Sequence, residues 1–362
     1  MNLRIALISF SNNYDMQKYL YTLYNNLKEK AFTITIGSTK LIDNVDIDKH
    51  NFLIDVPNKP GIEFRTLNFS SLSRLIRIIK LHKINVVYYL SSHIWNIFLY
   101  PHLKRNNISI LHSIHDPIPH PNEGKGLFIY NYNRLISKYT DLIILHSKNF
   151  KDLFCRKYNF PEKKVSILNL WHQWLDFNEL KTDNTLLFFG RINPYKGVLT
   201  FKKIAQKVSN KIFIVGKVHK KIKQEVYELP RNFSHIKLID RYVSEKEMNT
   251  FFDNAGLVLL PYKSATQSGV IIEAYRHSRP VVAFNTGAIN EQIIDKKTGF
   301  LVHEGDVDGF VCAIDYYKKL DFSEKVAMCR NAWEFGKLKY SPSKAAENIV
   351  NISLKILSKK LA

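Results

Sequence analysis

LLPYKSATQSGVIIEAYRHSRPVVAFNTGAINEQIIDKKTGFLV, Leu259 to Val302, holds a whole strand–loop–helix–strand cycle. The apolar run Gly256–Leu260 leads into it, a polar loop follows from Lys263 to Ser268, and a helix opens at Gly269 and continues through Ile271–His277. Pro280–Phe284 is again a short apolar run. Short runs of this kind, bounded by polar loops, suit strands buried on both faces. Their alternation with helical stretches specifies a parallel sheet covered by helices.

The same cycle repeats in both directions. Upstream, Thr185–Phe189 and Lys211–Val215 read as strands flanking a helical stretch, Val198–Val208, and Ile236–Ile239 precedes the helix Glu245–Phe252. Nearer the N-terminus the strand candidates are Arg4–Phe10, Ala31–Ile36, Ile84–Leu90, Ile108–His112, Leu142–Leu145 and Val165–Leu168, with helical patterns over Met16–Lys30, Leu72–His82 and His93–Lys104. The polar stretch Asn178–Asn184 is the natural linker. Two consecutive doubly wound α/β domains are expected, 1–178 and 179–335, with a helical segment at 336–362 that includes Pro342–Lys360. Ligands of such sheets bind at the carboxyl ends of the strands, at the point where the strand order reverses.

Composition removes several classes. The 362 residues are 45% apolar and 23% charged, which excludes disorder as the main state. Cys155, Cys312 and Cys329 are too scattered for a disulfide framework or a zinc site, so a reducing compartment is expected. The most apolar long window, Ile84–Leu103, carries Ser91, Ser92, His93, Asn96 and Pro101, and is no membrane span. The N-terminal apolar run is too short for a signal h-region. The net charge is +21, and both halves are basic, which favours anionic partners: nucleic acid, an acidic membrane surface or phosphorylated substrates.

Two segments carry the chemistry. In LLFFGRINPYKG, Leu186–Gly197, a strand ends at Phe189, Gly190 permits a tight exit, and Arg191 and Lys196 stand beyond it. Two cations near a helix start suit a diphosphate, although both are also compatible with an exposed loop. In the second segment Gly269 and Val270 can present free amides at a helix N-terminus, where an anion is stabilised. Glu273, a turn further in, can accept from a ribose diol or can simply complement the helix dipole. Asp46-Ile47-Asp48 and Asp306-Val307-Asp308 have the spacing of a divalent-ion site, but neither follows a buried strand.

Together these segments resemble the donor-binding half of GT-B glycosyltransferases, glycosyltransferase family 4 in particular. The resemblance extends through IFIVGK (Ile212–Lys217), DRYVSEKEMNTFFDNAGLVLLPY (Asp240–Tyr262) and the closing TGFLV. It implies two Rossmann-like domains facing across a cleft, with a C-terminal helix packing back towards the N-terminal domain. By the same resemblance, Gly190, Arg191 and Lys196 would hold the diphosphate of a UDP- or GDP-sugar. Gly269, Val270 and Ile271 would offer amides to it, and Glu273 would bind the ribose. Gly287 and Glu291 would lie near the donor. The family's first glutamate, eight positions before Glu273, is here Ala265, so Thr266, Gln267 and Ser268 are expected to supply hydrogen bonds to the sugar. On the acceptor side, HDPIPHP follows the strand Ile108–His112: His115 or Asp116 would orient the sugar or acceptor, supported by His93 and His120. His146 reads as structural.

The resemblance implies a retaining hexosyltransferase in polysaccharide or glycolipid synthesis, without cofactor or metal, because Arg191, Lys196 and helix amides already offset the leaving charge. The acceptor would be a glycan or lipid-pyrophosphate-linked sugar. With its charge, the chain would work in the cytoplasm, on the anionic inner face of the plasma membrane. Nucleic acid is not an expected partner, since no RRM, KH or helix-turn-helix signature is present and the cations are dispersed. A nucleic-acid-binding protein, a nucleotide-sugar epimerase of the same architecture and a degenerate transferase are the competing readings.

Overall fold

A computed structural model describes residues 2–39, 47–58, 63–115, 117, 126–181, 185–265 and 267–361. They form two compact units, Met1–Gln173 with Ser341–Ala362, and Trp174–Tyr340.

The first unit has the strands β1 (Arg4–Ile8), β2 (Phe32–Ser38), β3 (Asn51–Ile54), β4 (Val86–Tyr89), β5 (Ser109–Ile114), β6 (Leu142–Leu145) and β7 (Val165–Ile167). All pair in parallel, in the order β3-β2-β1-β4-β5-β6-β7. Its helices are α1 (Tyr14–Leu27), α2 (Phe69–Leu81), α3 (Ile94–Arg105), α4 (Gly126–Tyr139) and α5 (Lys151–Tyr158). Residues of alternate direction on one strand enter different cores: Ala6 and Ile8 pack with Ile34, Val87 and Trp95, whereas Ile5 and Leu7 pack with Val86, Tyr88 and Leu111. That is why these strands are apolar at nearly every position.

The second unit has β8 (Thr185–Phe189), β9 (Lys211–Val215), β10 (Ile236–Ile239), β11 (Leu257–Leu260), β12 (Val281–Asn285) and β13 (Gly299–His303), also all parallel, in the order β10-β9-β8-β11-β12-β13. Its helices are α6 (Phe201–Ala205), α7 (Lys223–Asn232), α8 (Glu245–Asp253), α9 (Gly269–Arg276), α10 (Val307–Lys319) and α11 (Phe322–Tyr340). Both sheets are therefore Rossmann-like, as the repeating cycle predicts. The helix expected over Val198–Val208 is shorter: a 3-10 turn at Val198–Thr200 follows the left-handed Gly197, and α-helix runs only through Phe201–Ala205.

The last helix, α12 (Pro342–Leu361), packs on α1 and brings Ala345, Ala346, Ile349 and Leu357 into the core containing Leu20, Tyr24 and Leu27. The C-terminal helix thus belongs to the N-terminal unit. The division between the units lies at 173/174 and 340/341, where the sequence suggested 178/179 and 335/336. Packing explains the offset. Trp333 Nε1 donates to the Leu175 carbonyl at 2.9 Å, and the Trp174 ring lies against Gly336. The described part of the expected linker is also fastened down. Arg279, fully buried, donates to the carbonyls of Asn178, Glu179, Phe252, Asp253 and Ser278.

Candidate functional site

β8 and β11 are neighbours in the second sheet, and the strand order reverses between them. Chains leaving such a pair diverge and open a crevice at the carboxyl edge. The loop after β8 starts at Gly190, whose φ of +97° only glycine adopts without strain. Arg191 is exposed on it, and a 3-10 turn, Pro194–Lys196, ends at Gly197 with φ +69°. A Cβ on Gly197 would lie 1.7 Å from the Pro261 carbonyl, and Lys263 N donates to Tyr195 O at 2.8 Å. The loops after β8 and β11 therefore lie backbone against backbone.

This packing buries Lys196 to 8% exposure. Its ammonium lies 5.2 Å over the Tyr262 ring and has no carboxylate in ion-pair range among the described residues. Burial pulls its pKa from 10.5 to about 8; Tyr195 opposes the shift and the Arg191 charge adds to it. The position of a Cβ on Gly190 is 2.8 Å from Lys196 Nζ and 3.5 Å from Val270 Cγ2, so the buried ammonium, the glycine exit and the first turn of α9 converge. Gly269, which opens α9, is exposed, and nothing lies within 4 Å of where its Cβ would be. A desolvated cation without a counter-charge is costly, and an anion placed there relieves that cost. The helix amides favour the same sign of ligand.

Ser268 is buried ahead of α9, Gln267 is half-buried, and Ile271 is buried, so only its backbone amide could face a ligand. Thr266 lies outside the described residues. Glu273 is buried, with Oε1 at 2.5 Å from Arg276 Nη1 and 3.2 Å from His277 Nε2. His277 Nδ1 reaches Asp253 at 2.8 Å. The sequence reading missed this network, although Glu, Arg and His at i, i+3 and i+4 of one helix announce it. Ala265 is buried, and its carbonyl accepts from Ala288 N at 3.2 Å. Gly287 has φ +59°, and a Cβ there would be 1.7 Å from that carbonyl. Glu291, half-buried, ends a 3-10 turn, and its carbonyl accepts from Lys339 Nζ.

In the first unit, His115 leaves β5 with Nε2 at 2.9 Å from the Leu90 carbonyl, stacked 4.6 Å from the His146 ring. Tyr19 meets it edge-on and stacks on Trp171 at 3.6 Å. His146 donates from Nδ1 to Leu168 O at 2.7 Å, and burial, with His115 beside it, lowers its pKa to about 3, so it is neutral and structural. His93, expected as a support on the acceptor side, is turned inward. It is 1% exposed, its Nδ1 accepts from Trp95 N at the start of α3, and its Nε2 lies 3.3 Å from Pro57 O. Asp116 and His120 lie outside the described residues, as does Asp46 of the first Asp-x-Asp. In the second, Asp306 caps α10 through Gly309 N and Asp308 pairs with Lys207. Among the described residues no three His, Cys, Asp or Glu side chains converge as a metal site.

The sequence profile described as glycosyl transferases group 1 matches residues 183–317, and that described as glycosyltransferase family 4 matches residues 16–169. The chain is a GT-B glycosyltransferase of this family. Among its relatives, an uncharacterized glycosyltransferase of Methanocaldococcus jannaschii is 29% identical over 56% of this chain, an alignment spanning 57% of that protein's length. An uncharacterized 41.2 kDa protein in a cps region of Klebsiella pneumoniae is 26% identical over 90% of this chain and 99% of its own. A glycosyltransferase from Rickettsia africae shares the fold with a TM-score of 0.78 at 18% identity, covering 98% of this chain and 99% of the other. HepE of Anabaena, solved with UDP-glucose, does so with a TM-score of 0.72 at 13% identity, covering 97% and 99%. The glycosyltransferase thus has its family's fold, and its convergent glycine, ammonium and helix start lie within the segment matched by the group 1 profile.

Proposed function

We propose that the glycosyltransferase transfers a hexosyl group from a UDP- or GDP-sugar with retention at the anomeric carbon, to a glycan or lipid-linked acceptor. One observation carries the donor assignment: the buried Lys196 ammonium, without a counter-charge among the described residues, meets Gly190 and the first turn of α9 at the strand-order reversal. The complex of HepE with UDP-glucose supports the choice of donor.

In this reading the donor diphosphate lies between Lys196, Arg191 and the amides of Gly269, Val270 and Ile271. As the bond from the anomeric carbon to the phosphate oxygen breaks, the negative charge on that oxygen grows against donors already in place, which is the main source of rate. The acceptor hydroxyl oxygen forms the new bond to the same face of the anomeric carbon, and the departing phosphate takes its proton. Arg191, Lys196 and the helix amides oppose the leaving charge without a metal. Glu273 accepts from the ribose hydroxyls, and the Arg276–His277 pair sets its carboxylate. His115, at the carboxyl edge of the first sheet, orients the sugar or acceptor together with Asp116. Activity in glycan or glycolipid assembly fits the relative named for a cps region.

The first unit also supports a membrane role. Phe64, 98% exposed, Leu67 and Phe69 are exposed at and before the start of α2, and Arg65 before it and Arg74, Arg77 and Lys80 along it are exposed too. Apolar side chains among cations suit an anionic bilayer.

A thermal-shift panel of UDP-, GDP- and ADP-sugars tests the donor assignment. A UDP- or GDP-sugar is expected to stabilise the protein, and Lys196→Ala or Arg191→Ala to abolish the shift and lower turnover about a hundredfold or more. Full activity in both variants would refute the phosphate assignment.

A further inference from the structure

Gln292 is fully buried just after the turn that follows β12, and its carboxamide lies along the main chain of Ser268. Ser268 N donates to Gln292 Oε1 at 2.7 Å, and Gln292 Nε2 donates to Ser268 O at 3.1 Å. One side chain thus satisfies both polar groups of one residue, as a neighbouring strand would. The pairing needs an acceptor and a donor on the same planar group, which only an amide offers without a change of charge.

The clamp is one of several along the same two segments. Thr286 Oγ1 donates to Lys263 O at 3.2 Å and Ala288 N to Ala265 O at 3.2 Å, while Gly287 allows the backbones their close approach. Lys263, Ala265 and Ser268 are therefore each fastened by the segment after β12. Ser268 is the last residue before α9, so the Gln292 contact sets the direction in which the first helix amides point. Position 265, where the resemblance places a glutamate, instead holds a small buried side chain inside this zipper.

We propose that Gln292 is a positioning residue for the donor, fixing the Ser268 main chain and through it the amides of Gly269, Val270 and Ile271. This rests on the reading of that helix start as the diphosphate site. Tyr340 of α11 faces the carboxamide and is held protonated by burial; Glu291 is adjacent; and Lys339 is engaged with the Glu291 carbonyl.

Gln292→Glu tests the proposal through pH. Ionised, the new carboxylate sets an acceptor against Ser268 O; protonated, its O–H restores the missing donor. Burial raises a carboxyl pKa, so the protonated form is reached at mild acidity. With the tighter-binding of UDP-glucose and GDP-mannose as probe, the variant-to-wild-type Kd ratio is expected to be about tenfold or more near pH 7.5, where the unpaired group costs over 1 kcal/mol. It should fall towards one near pH 5.5, with the acceptor KM unchanged throughout. Gln292→Met, similar in volume and without a charge, should show the loss at every pH and serves if Gln292→Glu does not fold. Donor affinity within twofold of wild type in both variants would overturn the proposal while leaving the donor site intact. Wild-type protein that binds neither probe would overturn both.

Discussion

At the residue scale, the proposed donor site would couple proton and donor through Lys196. Its pKa in the folded chain, about 8, lies below the ordinary lysine value because burial disfavours the charged form. If the diphosphate binds as proposed it needs the ammonium, so donor affinity should be full below about pH 7 and fall as pH rises through 8. Bound diphosphate raises the pKa, so binding near pH 8 takes up a proton. Calorimetry in buffers of different ionisation enthalpy measures that uptake, and Lys196→Arg should abolish it because guanidinium stays charged. No proton uptake in the wild-type protein would refute this account. The stability sign is the reverse of an ion pair's: with its pKa lowered on folding, the buried ammonium costs stability below about pH 8 and the cost fades towards the unfolded value of 10.5. The types and order of Gly190, Arg191, Lys196 and Gly269 were legible as an anion site. The burial of Lys196 was not, because it depends on the Tyr195–Lys263 and Gly197–Pro261 contacts between distant loops. His93 reads equally from the sequence as a ligand-facing group and as a cap; the fold buries it, with Nδ1 accepting from Trp95 N and Nε2 near Pro57 O.

At the scale of elements, the strands were the most legible part, since burial on both faces leaves an apolar run no polar face can interrupt. Among the elements that went unread are the strands Asn51–Ile54 and Gly299–His303 and the helices Gly126–Tyr139, Lys151–Tyr158, Lys223–Asn232 and Val307–Lys319. Asn51–Ile54 has only four residues, α5 has four charged ones among eight, and α7 holds Pro230 near its end. The helix α12 was readable as a helix but its partner was expected only from the resemblance. Its buried Ile349 lies in the core with Leu20 and Tyr24. Ile349→Ala should therefore destabilise the first unit by about 2–5 kcal/mol, and Leu354→Ala, at an exposed position of the same helix, by much less. Urea unfolding followed through Trp95 and Trp171, both buried in that unit, distinguishes them.

For the whole molecule, the +21 charge acquires specific addresses. Arg191 and Lys196 lie at the candidate donor site, while Arg65, Arg74, Arg77 and Lys80 are exposed on the same segment of chain as the exposed Phe64, Leu67 and Phe69. The chain should float with phosphatidylglycerol vesicles at low salt and release as salt screens the contact. Each cation near an anionic surface contributes about 1 kcal/mol, so Arg74→Glu with Arg77→Glu should weaken partitioning roughly tenfold or more. Phe64→Ser should weaken it without changing the salt slope. Absence of flotation at low salt would remove the membrane from the account.

The return of α12 to the first unit also orders the birth of the protein. Trp174–Tyr340 is continuous in sequence and can close on itself as soon as it leaves the ribosome. The first unit is synthesised earlier but finished later: the face of α1 that Ala346 and Ile349 cover stays open until all of Trp174–Tyr340 has been translated. The half of the chain made first is therefore the half whose core is completed last.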